Sequence, residues 1–136
     1  MNSVGVSNVP PQPLQLTCNA PLTTVLLRDV PLGHVVRPAG AHYAIAHDSH
    51  GLFAFSTLAS DGACELDCAN NDAFRDPCHL GVWDVDGTLL QSSPNDTQDL
   101  THLAVHVDGS CDMSVVLVDG YPNEFAVDPT TRVSVQ

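Results

Sequence analysis

Short apolar runs, each cut off by Pro, Gly, Asn or Asp, succeed one another along most of this chain. They are Leu14–Cys18, Thr23–Arg28, Gly33–Arg37, His42–His47, Leu52–Leu58, Leu80–Val85, Thr88–Gln91, Leu100–Val107, Met113–Asp119 and Thr131–Val135. Runs of this length, rich in branched and aromatic residues and bounded by turn formers, predict β-strands. The cleanest alternation is Thr101–Val107: Leu103, Val105 and Val107 face one way, and His102, Ala104 and His106 the other. No segment holds an apolar stripe at helical spacing for three turns. Strands recurring about every 8–12 residues predict an all-β chain folded as a single antiparallel β-sandwich of jelly-roll type.

Two turns can be named in advance. Asp86-Gly87 follows Trp83-Asp84-Val85, and Asp108-Gly109 follows Val107. Asp-Gly between apolar runs is the signal of a type I′ hairpin, whose two central residues need positive φ. Strand 80–85 is therefore expected to pair with 88–91, and 100–107 with 113–119.

Two segments break the rhythm. Residues 1–13 contain Val9, Pro10, Pro11 and Pro13 and little that packs, so they predict an extended arm ahead of a β-sandwich domain at 14–136. Residues 59–78 show no periodicity, and loops this long in a small domain are usually functional or stapled.

Composition narrows the function. A chain of 136 residues is one domain, and 43% hydrophobic against 15% charged residues excludes intrinsic disorder. The net charge is −12; the only cations besides histidine are Arg28, Arg37, Arg75 and Arg132, and there is no lysine. No basic footprint for nucleic acid or anionic membrane can be built from these. Of the 16 acidic residues all but Glu65 and Glu124 are Asp, a turn and cap former. No apolar run approaches the length of a membrane-spanning helix.

The five cysteines are Cys18, Cys64, Cys68, Cys78 and Cys111. An oxidising compartment would join four of them in two disulfides and leave one over; a reducing one would keep them as apolar fillers. Residues 1–5 show no signal peptide, which sits uneasily with this cysteine density. A virus particle reconciles the two, being made in a reducing cytosol and living outside it.

Several constellations carry candidate chemistry. Asp61, Glu65, Asp67, Asn70, Asp72 and Asp76 supply enough oxygens in one loop to wrap a calcium ion. A solvated acidic loop closed by a local cysteine pair explains the same residues. Cys64, Cys68, Cys78 and His79 offer zinc ligands at spacings unlike the usual knuckles. The string Trp83-Asp84-Val85-Asp86-Gly87-Thr88 resembles the first motif of haloacid-dehalogenase-type phosphatases, which would make Asp84 a nucleophile and Asp86 a general acid. Those enzymes need a downstream lysine or arginine and a parallel α/β sheet, so the string reads instead as a hairpin turn. No acid, base and nucleophile set converges, and catalysis is not expected.

Residues 42–127 resemble the bacterial pre-peptidase C-terminal domain. The matching pieces are Tyr43-Ala44-Ile45, Leu52–Leu58, Val82–Leu90 with its Asp-x-Asp-Gly hairpin, Ser92–Asp99, Leu100–Val107, Gly109 and Val115–Val118. The resemblance implies a non-catalytic, jelly-roll-like sandwich that recognises glycan or protein.

The expected function is therefore structural: a small β-sandwich subunit of a homo-oligomeric array, such as a decoration or minor capsid protein on a virus particle. It would contact other protein subunits through the proline arm, and need no cofactor beyond the calcium considered above. The alternative is a secreted binding module of the pre-peptidase type.

Overall fold

The computed structural model describes residues 14–59, 64–69, 72–109, 114–118 and 133. The arm residues Val9, Pro10, Pro11 and Pro13, together with Asp61, Asn70 and Cys111, lie outside the described residues.

The described chain is all-β and sandwich-like. Its strands are β1 (Gln15–Ala20), β2 (His34–Pro38), β3 (Tyr43–Asp48), β4 (Gly51–Ser56), β5 (Asp67–Ala69), β6 (Ala73–Arg75), β7 (Val82–Asp84), β8 (Leu89–Gln91), β9 (His102–Leu103), β10 (Val105–Asp108) and β11 (Val115–Val118). They form a five-stranded sheet in the order β9-β4-β3-β2-β1, a four-stranded sheet β5-β6-β7-β8 and a two-stranded ribbon β10-β11. Connections are mostly meanders; within the sheets, the one crossover of the kind a jelly roll implies brings β9 beside β4.

The five-stranded sheet is buried on both faces. Val35, Ala44, Ala46, Phe53 and Phe55 pack into one cluster with Phe74, Trp83, Val85 and Leu100. Their strand neighbours Val36, Ile45, Leu52 and Ala54 pack into a second cluster with Val25, Leu27, Val30, Val105, Val116 and Val118. Successive side chains of a strand point to opposite faces, so a strand covered twice reads as a continuous apolar run. That is why Gly51–Ser56 is buried at every position but the last. Phe55 meets Phe74 edge to face, with ring centroids 5.7 Å apart, which joins the central sheet to the four-stranded one.

Both expected strand pairings form, but Asp108-Gly109 is not the two-residue type I′ turn expected: Asp108 lies within β10 opposite Val115 and is not in the left-handed region, because the ladder ends there and leaves residues 109–114 as the connection. β7 pairs antiparallel with β8, and β10 pairs with β11 from Val105↔Val118 to Asp108↔Val115. Leu103, Val105 and Val107 share the second cluster, as their alternation requires. The run 100–107 is nevertheless divided: β9 pairs with β4, while β10 leaves for the ribbon.

Four expectations are corrected. The sandwich is not wholly antiparallel, because β1 and β2 are parallel. A parallel pair needs a crossover, and residues 21–33 make it while laying Val25, Leu27 and Val30 on the sheet face. Thr23–Arg28 within that crossover is accordingly not a strand. It touches β11 at the single bridge Leu26↔Val115 and then coils into a 3-10 turn at Leu27–Asp29. Asp29 Oδ2 accepts the Leu26 amide at 2.9 Å, a local bond that competes with the ladder. The segment 59–78 is not structureless, for it contains the β5–β6 hairpin. Finally, the Asp86-Gly87 turn is not type I′. Gly87 has φ +91°, but Asp86 is not in the left-handed region. The Gly87 amide donates to Asp84 O at 2.9 Å and the Asp84 amide to Thr88 O at 2.8 Å. This is the pattern of a type I turn followed by a left-handed glycine.

The last expected strand, Thr131–Val135, is described only at Val133, which exchanges two backbone hydrogen bonds with Leu52.

Denaturant melts should separate these contributions. Phe74→Ala, at a fully buried ring, is expected to lose about 3–5 kcal/mol. Gly87→Ala, at positive φ, should lose about 1–2 kcal/mol. Leu90→Ser, at an exposed position, should stay within about 0.5 kcal/mol.

Candidate functional site

The segment from Cys64 to Gly81 folds against the central sheet and gathers most of the unusual chemistry of the described chain. Two disulfides hold it. Cys18 on β1 is joined to Cys68 on β5, and Cys64 to Cys78, each with Cα atoms 6.5 Å apart. The zinc reading of Cys64, Cys68, Cys78 and His79 is thereby corrected, because a disulfide sulfur is not a thiolate ligand. The chain-entropy account gives about 4 kcal/mol for a loop of 50 residues and about 3 kcal/mol for one of 14.

Arg37 on β2 reaches into this segment. Its Nη1 donates to Leu66 O at 2.6 Å and lies 3.7 Å from Cys68 Sγ, while its Nη2 pairs with Glu65. The second carboxylate oxygen of Glu65 meets His42 Nδ1 at 2.5 Å. Glu65 is thus held between Arg37 on β2 and His42, which immediately precedes β3.

Beneath the adjoining turn lies a buried acid pair. Asp76 and Asp96 are 0% and 1% exposed. Asp76 Oδ1 accepts the Cys78 amide at 2.8 Å, and its Oδ2 lies 3.1 Å from His79 Nδ1. Asp96 Oδ2 accepts the Gly81 amide at 3.0 Å and the Ser93 hydroxyl at 3.2 Å. A carboxylate oxygen of each lies within 4.8 Å of one on the other. Glycine at 81 is a requirement: a Cβ there would sit 2.4 Å from Asp96 Cβ. Leu80 holds a φ of +70°, a conformation costly for a branched side chain.

Burial pushes both acids up, and they then part. For Asp76 the Cys78 amide, the Asp96 carboxyl and His79 outweigh burial and hold it below 3.8. For Asp96 burial prevails: the Gly81 amide opposes it, but the hydrogen bond and the charge of Asp76 add to it, and the group rises above 3.8. Two like charges in contact cannot both ionise easily, so Asp76 ionises first and Asp96 at higher pH.

Asp76, His79 and Asp96 also offer one ligand atom each within 4.8 Å of one another, a set that could hold a metal ion. Of the six residues expected from the sequence to hold calcium, four are described. Of these four, Asp76 alone enters a cluster with metal-ligand spacing. Glu65 is turned to Arg37 and His42; Asp67 stands across from Arg75 in the β5–β6 register; Asp72 is exposed in the turn between them. Asp96, which completes the buried pair, was missed because it lies 20 residues away in the chain. Its only local sign is a polar turn beside Pro94.

Asp84 and Asp86 cap their own hairpin. Asp84 Oδ1 accepts the Val85 amide at 2.8 Å, and Asp86 Oδ1 the Thr88 amide at 3.0 Å. This is the turn chemistry expected of the Asp-x-Asp-Gly-Thr string.

The described chain is thus a small all-β domain with a disulfide-stapled segment over a buried acid pair. No protein-family model matches the sequence, and no curated protein matches it. Among solved structures it is similar to the ferredoxin of carbazole 1,9a-dioxygenase from Nocardioides aromaticivorans IC177. Identity is 23%, the alignment covers 73% of this chain and 96% of that one, and the TM-score is 0.40.

The acid pair sets a pH dependence. Asp76 lends stability above 3.8 that is lost as pH falls through its lowered pKa. Asp96 acts in the opposite sense: stability falls as pH rises from 3.8 through its raised pKa. Asp96→Asn keeps a donor toward Asp76 and removes the second charge. Thermal melts should therefore show a smaller loss of stability from mildly acidic to neutral pH in Asp96→Asn than in the native chain. Asp76→Asn, which weakens the contacts of the Cys78 amide and His79 with a buried carboxylate, should lose about 2 kcal/mol at neutral pH.

Proposed function

We propose that the chain is a non-catalytic β module of an oxidising environment, serving as a structural or binding subunit among other proteins. The observation that carries this reading is the pair of disulfides, Cys18–Cys68 and Cys64–Cys78. Two cross-links in one small domain belong outside the reducing cytosol, where thiols are kept free. The composition supports the class of partner: a net charge of −12 with no lysine leaves proteins favoured over nucleic acids or anionic membranes. The carboxylates that could suggest acid–base chemistry are otherwise engaged. Asp84 and Asp86 cap a turn, and Asp76 and Asp96 are sealed against each other.

Both settings considered for this chain, the surface of a virus particle and a secreted assembly, meet this chemical requirement. The arm on which the array reading rests lies outside the described residues.

Thiol titration of the protein, unfolded without reductant after recovery from its native source, tests the proposal. One reactive thiol per chain is expected; five would overturn it. The native mass of the same sample then separates the settings, a closed homo-oligomer favouring the particle subunit and a monomer the secreted module.

A further inference from the structure

The two disulfides sit in opposite electrostatic surroundings. Cys68 Sγ lies 3.7 Å from the Arg37 guanidinium. It opens onto a recess of about 430 Å³ lined also by Asn19, Glu65, Asp67 and Arg75. Glu65 is shared between Arg37 and His42, and Asp67 stands across from Arg75. Cys18, the other half of this bridge, is half-buried on β1, the edge strand of the central sheet, where the register with β2 slips between Thr17 and Ala20. The Cys64–Cys78 bridge has the contrary neighbour: a carboxylate oxygen of Asp76 lies within 4.8 Å of both sulfurs.

Thiol–disulfide exchange builds negative charge along the line of three sulfurs and ends with a leaving thiolate. A guanidinium beside the leaving sulfur stabilises that thiolate, and a carboxylate beside it does the reverse.

We propose that Cys18–Cys68 is a thiol-exchange and modification site for low-molecular-weight thiols, while Cys64–Cys78 is the inert structural bridge. An incoming thiolate attacks Cys18 Sγ. The Cys18–Cys68 bond breaks, and its electron pair leaves on Cys68, beside Arg37. The product is a mixed disulfide on Cys18 and a thiolate on Cys68. A second thiolate attacks the sulfur of the bound thiol, releasing the external disulfide and a reduced Cys18. Two external thiols are oxidised to one disulfide, and the protein bridge is reduced to two thiols. Opening this bridge frees β1 from β5, so the link between the edges of two sheets becomes conditional on the surrounding thiol pool. The inference rests on the disulfides of the proposed function but goes beyond it.

The test uses the folded, oxidised chain with any free thiol alkylated beforehand. It is exposed to rising concentrations of reduced glutathione, quenched in acid and mapped by mass spectrometry. Cys18–Cys68 is expected to open about tenfold faster than Cys64–Cys78, with glutathione found on Cys18. Arg37→Gln should erase most of that ratio and Arg37→Lys should keep it. Equal opening rates, earlier opening of Cys64–Cys78, or glutathione on Cys68 would overturn the proposal. The ratio within the native chain decides the matter even where Arg37→Gln does not fold. Five free thiols in the untreated native protein would count against the oxidising environment alone, since the chain reoxidised in vitro still reports which bridge exchanges.

Discussion

The structure depends on a central sheet that must be covered on both faces. Val35 and Val36, Ala44 and Ile45, and Phe53 and Ala54 are adjacent pairs whose members go to opposite cores. Neither face of this sheet is fit for water. Every other element follows from the need to cover it. The four-stranded sheet contributes Phe74 and Trp83 to one face. The ribbon and the 21–33 crossover contribute Val25, Leu27, Val30, Val105, Val116 and Val118 to the other. A parallel β1–β2 pair is the topological consequence, because the chain between them is spent on covering a face.

Short strands of two to four residues could not cover that sheet unaided, since a small sheet with few ladder bonds is marginal. The disulfides supply what the ladders lack. Cys18–Cys68 joins the edge of the central sheet to the edge of the four-stranded one, and Cys64–Cys78 closes the intervening segment onto the turn at Asp76. That turn is then fixed firmly enough to bury two carboxyl groups in contact. Such burial is tolerable because the amides of Cys78 and Gly81 donate to the pair. The same closure places Asp76 near one bridge, while Arg37, held by Glu65 and Leu66, stands beside the other. Opposite charges next to two otherwise similar bonds give them different reactivity.

Much of this was legible in the sequence for local reasons. Alternation and turn formers placed nine of the eleven described strands within or overlapping their expected runs, because period and punctuation are properties of neighbouring residues. The Asp-Gly signals placed both strand pairings, although neither turn took the expected type I′ geometry. The β5–β6 hairpin escaped notice: its strands are three residues each, too short for any period to register. The 3-10 turn at Leu27–Asp29 escaped because an apolar run looks the same whether it pairs or merely covers.

The candidate site divides along the same line. Cysteine count and acidic composition are additive properties, and without any coordinates they admitted two disulfides, with reduced thiols as the alternative, and argued against a nucleic-acid partner. Partner choice is different in kind. Which cysteine meets which, that Asp76 joins Asp96 rather than Glu65 or Asp72, and that Arg37 faces a sulfur are all contacts between residues at least 14 apart in the chain. They are decided by how two sheets stack, and no periodicity or motif within a strand encodes that stacking. The sequence by itself determined an acidic, cysteine-rich β protein. Only the tertiary structure decided which faces are buried and which charges stand beside which bonds, because both depend on packing between segments rather than within them.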